Sequence, residues 1–212
     1  MTSHRSLRAT LLTTSAASAL VLALATPAAA EPPGIPDPGT ASGQLDELTV
    51  APEGPMDGYD RDRFPHWSEG ADNCNTRESV LQRDGENVEV GADCYPTSGT
   101  WHSAYDGADW NKASDLDIDH VVPLAAAWRS GAADWTDERR EQFANDLESP
   151  QLIAVTDSVN QEKGDQTPAT WMPPLADYHC TYASMWIGAK HKWGLTVSEA
   201  EKSSLADALG TC

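Results

Sequence analysis

Asp119 and His120 stand side by side at the end of a short apolar-alternating stretch, and Asn160 follows downstream. A carboxylate is a hard oxygen ligand for Mg²⁺, Mn²⁺ or Ca²⁺. A neutral imidazole is the natural base for taking a proton from water near physiological pH. A carboxamide oxygen is a second hard ligand. Gathered around one ion, the three would suit phosphodiester hydrolysis. The metal would neutralise charge building on the phosphorane oxygens and on the leaving 3′ oxygen. The imidazole would activate the attacking water, and the chain would supply position and fixed electrostatics. Taken singly, Asp119-His120 also fits a polar pair closing a strand with no chemical task, and Asn160 fits an exposed helix residue.

The wider pattern is more specific. Asp119-His120-Val121-Val122-Pro123, then Asn145, then Asn160-x-x-Lys163-Gly164 resembles the HNH endonuclease signature: D-H-[IV]-[IV]-P, a central Asn, and N-x-x-K-[GS]. The runs DIDHVVPL, AW-x-SGA, FANDL and N-x-x-KGD-x-x-P-x-x-W-x-PP resemble small secreted bacterial HNH proteins grouped with the GmrSD-type restriction endonuclease C-terminal domain. The similarity spans Asn75 to Cys212. It implies a ββα-metal core, one Mg²⁺ or Mn²⁺ ion, and DNA or also RNA as substrate. It makes His120 the general base, with Asp119 and Asn160 as metal ligands. Asn145 would orient His120 or hold its loop, Lys163 would contact a phosphate, and Asp117 would stand one layer behind the ligands. Asn160 departs from the literal motif, whose last letter is His.

These residues need elements to hold them. Side chains alternate across a strand, so Asp119 and His120 can serve one site only if their strand twists or ends there. Asp115 to Leu124 reads as a strand ended by Pro123, and Ala125 to Arg129 as a short helix. Thr136 to Leu147 reads as a helix capped by Thr136 or Asp137, with Asn145 suited to close it. Gln151 to Val155 is a short buried strand, and Asp157 or Ser158 caps a helix through Asn160 and Lys163 that stops at Gly164. Asp177 to Trp193 and Val197 to Leu209 are two more helices. Upstream, Asn75 to Val90 reads as a helical turn followed by a hairpin or strand around Asp84-Gly85, and Thr97 to Trp110 as a hairpin. The fold class is therefore α+β: a ββα-metal (HNH) core, by the resemblance, with additional helices and two disulfides. The eight tryptophans are read as packing residues, none of them stacking on bases. His66, His102, His179 and His191 are read as surface or packing residues.

Three segments organise the chain. Residues 1–30 have a basic start, an uncharged Ala/Leu/Val stretch and Ala28-Ala29-Ala30, the pattern of a secretory signal peptide. Residues 31–56 are rich in Pro and Gly and read as a flexible leader. Residues 57–212 form the endonuclease domain, expected to be extracellular and monomeric, with nucleic acid as partner, no membrane span and no protein partner evident. Cys74, Cys94, Cys180 and Cys212 allow three pairings. Cys74–Cys94 with Cys180–Cys212 is favoured because each pair brackets one local unit. No C-x-x-C pair exists, which argues against zinc. The formal net charge of −19 becomes −21 when Arg5 and Arg8 leave with the signal peptide. That balance disfavours a tight DNA-binding regulator, which draws affinity from Lys and Arg on phosphates. It is less adverse to a hydrolase needing transient contact at a metal-bridged phosphate. The sequence is also compatible with an extracellular phosphodiesterase on another substrate, and with a non-catalytic calcium-binding or cell-surface interaction protein.

Overall fold

The computed structural model describes Met1, residues 31–70 and residues 73–212; beyond Met1, the stretch read as a signal peptide lies outside the described residues. Among the described residues, no helix is long and apolar enough to cross a membrane.

Residues 31–56, read above as a flexible leader, are docked on the body of the protein. Helix α1 spans Pro38–Glu47. Asp37 caps it, accepting from the backbone N–H groups of Gly39 and Thr40, and Pro38 stands at the first turn, where its missing N–H is harmless. Ala41, Leu45 and Leu48 are buried, the first two on one helical face. Val50 then bridges to Val197 in parallel fashion. The Pro/Gly average hid a capped helix with a single apolar stripe.

Helix α2 (Thr76–Asp84) opens with a capping box in which the Asn75 side chain and Glu78 satisfy each other's backbone N–H. It leads into an antiparallel sheet ordered β1-β2-β3, with β1 Gly85–Val90, β2 Pro96–Ser103 and β3 Ala108–Trp110. Strands β4 (Leu116–His120) and β5 (Leu152–Thr156) form a separate antiparallel pair in which Leu116 faces Thr156 and His120 faces Leu152. Helices α3 (Leu124–Arg129) and α4 (Asp137–Ala144) lie between those strands in sequence, and α5 (Asp157–Lys163) follows β5 directly. The last two helices are α6 (His179–Trp193) and α7 (Glu199–Leu209). Both disulfides take the favoured pairing: Cys74–Cys94 ties the start of α2 to the β1–β2 turn, and Cys180–Cys212 ties α6 to the end of α7.

The β4–β5 pair divides two apolar cores. Leu116, Ile118, Leu152 and Ala154 join Val80, Leu81 and Trp101 in the smaller one. Ile153 and Val155 face the larger one, built on α1, α3, α6 and α7. Burial on both faces explains why β5 reads as a continuous apolar run rather than an alternation. Helix α1 lies across α6, and a Cβ at Gly188 would come within 2.9 Å of Pro36, so glycine there permits the leader's close approach.

Candidate active site

His120 is the last residue of β4, so the strand ends where the sequence required it to. Asp119 and His120 leave the strand in different directions yet line one pocket, together with Asn160 from α5, Pro123, and Tyr59 and Arg61 from the upstream segment.

Asp119 is 4% exposed and is held from two sides. The Tyr105 hydroxyl donates to its Oδ2 at 2.6 Å. The Lys163 ammonium donates to Oδ1 at 2.7 Å, to Oδ2 at 2.8 Å, and to the carbonyl of His120 at 2.9 Å. All three N–H groups of Lys163 are thereby satisfied, and its side chain is 0% exposed. Burial pushes the Asp119 carboxyl up and the Lys163 ammonium down, and their mutual attraction opposes both shifts. The threefold hydrogen bonding of Lys163 favours the charged pair. The lysine expected at a substrate phosphate thus sits behind Asp119. The reason is local: α5 ends at Gly164, whose φ of 53° suits glycine, and the preceding side chain turns back against β4.

The His120 ring is fixed through Nε2, which lies 2.8 Å from the carbonyl of Ala144. A carbonyl only accepts, so Nε2 carries the proton and Nδ1 carries the basic lone pair. Burial, first, and unfavourable electrostatics from Arg61, His66 and Lys163 push the imidazolium down to about 3, against the pull of the Ala144 carbonyl. The ring is neutral at physiological pH. Trp67 packs over it at 5.4 Å between centroids, and His66 lies edge-on at 6.3 Å.

Asn145 caps the C-terminus of α4 and is saturated. Its Oδ1 accepts from the Ser68 N–H and the Thr76 hydroxyl, and its Nδ2 donates to the carbonyls of Pro65 and Glu141. It therefore clamps the strap that carries His66 and Trp67, and it directly follows Ala144, whose carbonyl holds His120. Asn160 donates from Nδ2 to Asp117 Oδ2 at 3.1 Å. A carboxylate only accepts, so this contact fixes which end of the amide is nitrogen. Burial raises the Asp117 carboxyl, as does neighbouring Asp157, while Asn160 and Arg77 oppose the shift.

The structure thus brings Asp119, His120 and Asn160 to one pocket, while Asn145 and Lys163 support it from behind. Asp119 and Asn160 are the oxygen donors there that could hold a metal ion; the Asp165 carboxylate also lines the pocket but is paired with Arg129. Among the described residues, no group of three or more His, Cys, Asp or Glu is placed around a common point for a metal. Sequence reasoning missed Tyr105, the strap from Tyr59 to Ser68, and the Arg129–Asp165 ion pair at 2.6 Å beside the pocket. Nothing in local spacing marks these residues. The one cue was Trp67 itself, a large aromatic outside any element.

The family model described as "GmrSD restriction endonucleases, C-terminal domain" matches residues 76–208. An "Uncharacterized secreted protein" of Arthroderma benhamiae is 60% identical over 193 residues, covering 91% of this chain and 95% of that protein. The present chain is likewise a secreted protein. No solved structure matches it.

Proposed function

The chain belongs to the family of GmrSD restriction endonuclease C-terminal domains, and on that premise we propose that it is a metal-dependent HNH endonuclease hydrolysing phosphodiester bonds in DNA or RNA outside the cell. In this reading β4, β5 and α5 are the ββα-metal core. The observation that carries the proposal is the neutral, oriented imidazole of His120 opening on the same pocket as Asp119 and Asn160.

The donor set fits one hard divalent ion. Asp119 already accepts three hydrogen bonds of the roughly four its oxygens can take, which leaves room for one further ligand bond. The Nδ2 of Asn160 is engaged by Asp117, which leaves its Oδ1 as the coordinating end. Two protein oxygens suit Mg²⁺ or Mn²⁺, which keep several waters and accept substrate phosphate oxygens. Bound there, the ion would offset charge developing on the phosphate and on the leaving 3′ oxygen.

The remaining work falls to this chain's own groups. Nδ1 of His120 takes the proton from the attacking water. The Ala144 carbonyl keeps the ring in the required tautomer and is well placed to stabilise the imidazolium that results. Lys163 and Tyr105 hold Asp119 in one rotamer. Trp67 packs over the ring face, and Asn145 holds the segment that carries Trp67. The test is nicking of supercoiled plasmid by the oxidised protein with Mg²⁺, Mn²⁺, Ca²⁺ or EDTA, beside His120→Ala. Metal-dependent nicking lost in the variant is the expected result. Folded protein inactive with every ion would remove the DNA-nuclease reading.

A further inference from the structure

The pocket lacks the phosphate contact that the sequence assigned to Lys163, because that ammonium is 0% exposed and fully engaged. Arg129, the next cation, is bound to Asp165 at 2.6 Å and to Glu53 at 3.0 Å. Arg61 is different. It is exposed, it lines the pocket beside Asp119 and His120, and among the described residues its guanidinium has no hydrogen-bonding or ion-pairing partner.

Arg61 is also carried on a rigid platform. It opens a single 3₁₀ turn, Arg61–Arg63, capped by Asp60, whose carboxylate accepts from the Asp62 N–H at 2.9 Å. Directly behind, Phe64 is 0% exposed. The carbonyl of Arg63 accepts from Arg140, itself 2% exposed, and the carbonyl of Pro65 accepts from Asn145. Trp67 holds a left-handed φ of 62°, a conformation a bulky side chain adopts only when its surroundings enforce it. The strap is thus pinned at several points, and its unengaged guanidinium, that of Arg61, lines the reaction pocket. This segment precedes the residues that match the family model, 76–208.

The geometry points to Arg61 as the residue that binds a backbone phosphate of the nucleic-acid substrate, an inference that rests on the nuclease reading above. A guanidinium offers a planar fork matched to two phosphate oxygens. In a chain of formal charge −19, general electrostatic attraction for a polyanion is absent, so a local fork carries a large share of substrate binding.

The test is fluorescence anisotropy of a short labelled DNA duplex, using the oxidised full protein in a His120→Ala background to prevent cleavage. Arg61→Gln should weaken binding about tenfold or more at low salt and reduce the slope of log K against log salt by about 0.9. Arg61→Lys should recover part of the affinity. Lys112→Gln, the same charge change beside a different pocket, should shift affinity less than about twofold. Equal losses from Arg61→Gln and Lys112→Gln, or an unchanged salt slope, would overturn the contact while leaving a wild-type nicking activity intact. Failure of the parent protein both to nick and to bind would remove the nuclease reading itself, and the Arg61 contact with it. Because Arg61 is exposed and unpaired, its variants should melt with the parent, which separates lost binding from lost folding.

Discussion

Replacing Lys163 by methionine separates two roles that a lysine after the Asn160 motif residue can play. In the structure its ammonium donates three hydrogen bonds, two of them to a carboxylate that is itself 4% exposed. Removing one partner of such a pair leaves a charge buried with its partner gone, a loss of about 3–5 kcal/mol. Asp119 keeps the Tyr105 hydroxyl, which places the expected loss near the lower end of that range. For a domain of this size each kcal/mol lowers Tm by about 2–4 °C, so the variant should melt about 10 °C below the parent. A double-mutant cycle sharpens the assay. Asp119→Asn alone should also destabilise, whereas the double variant should recover about 2 kcal/mol of the summed losses, because two neutral groups tolerate burial. The measurement is urea denaturation of the four proteins with disulfides intact. A surface lysine contacting phosphate predicts something else: unchanged stability and a raised KM. Lys163→Met melting within about 1 °C of the parent, with zero coupling to Asp119, would refute the buried-pair assignment.

Two other predictions follow from the same network. Asn145→Ala removes four hydrogen bonds, two joining the end of α4 to the strap, one joining it to Thr76 on α2 and one closing α4 on Glu141, so it should cost about 2–3 kcal/mol at roughly 1 kcal/mol net per bond when some are exposed; it should also lower kcat at temperatures where the variant remains fully folded by circular dichroism, whereas an effect on stability alone would limit Asn145 to packing. Asp146 governs part of the acid response: burial alone would raise its carboxyl, but bonds from Lys192, Ser149, Trp193 and the Glu148 N–H outweigh that and hold it below its ordinary 3.8. Its folded-state value is therefore the depressed one, so its contribution is present above about pH 4 and is lost as pH falls through the lowered value. Urea midpoints measured from pH 6 down to pH 3 should fall less steeply for Asp146→Asn than for the parent, and parallel slopes would remove this assignment.

The order strand, helix, helix, strand, helix around the site was legible because each element carries its own signal. The strand expected over Asp115–Leu124 is present but closes at His120, before Pro123, which instead stands at the N-cap of α3; Thr136 caps α4, QLIAV is a compact apolar run, and Gly164 stops α5. Asp119, His120 and Asn160 were legible because their types name their chemistry. What depends on distant partners was not. A lysine followed by glycine at a helix end reads as a solvated cation, and only the position of β4 reveals that it is buried. Tyr105 falls within the expected hairpin, in the turn between β2 and β3, and nothing local marks its hydroxyl as one that reaches Asp119. Residues 31–56 look like a linker by average composition, and α1 emerges only from Asp37-Pro38 followed by Ala41 and Leu45. The strap carries no motif at all, because its geometry is imposed by Asn145 and Arg140 from α4.

Metal-dependent catalysis through His120 can be tested by incubating supercoiled plasmid with the oxidised wild-type protein and with His120→Ala, each with Mg²⁺ or Mn²⁺ and with EDTA. The expected result is nicked circles from the wild type with metal only, and a rate lower by about a hundredfold or more in His120→Ala, since a positioned base contributes about 10²–10⁴. Undiminished nicking by a folded His120→Ala, or nicking that persists in EDTA, would contradict it.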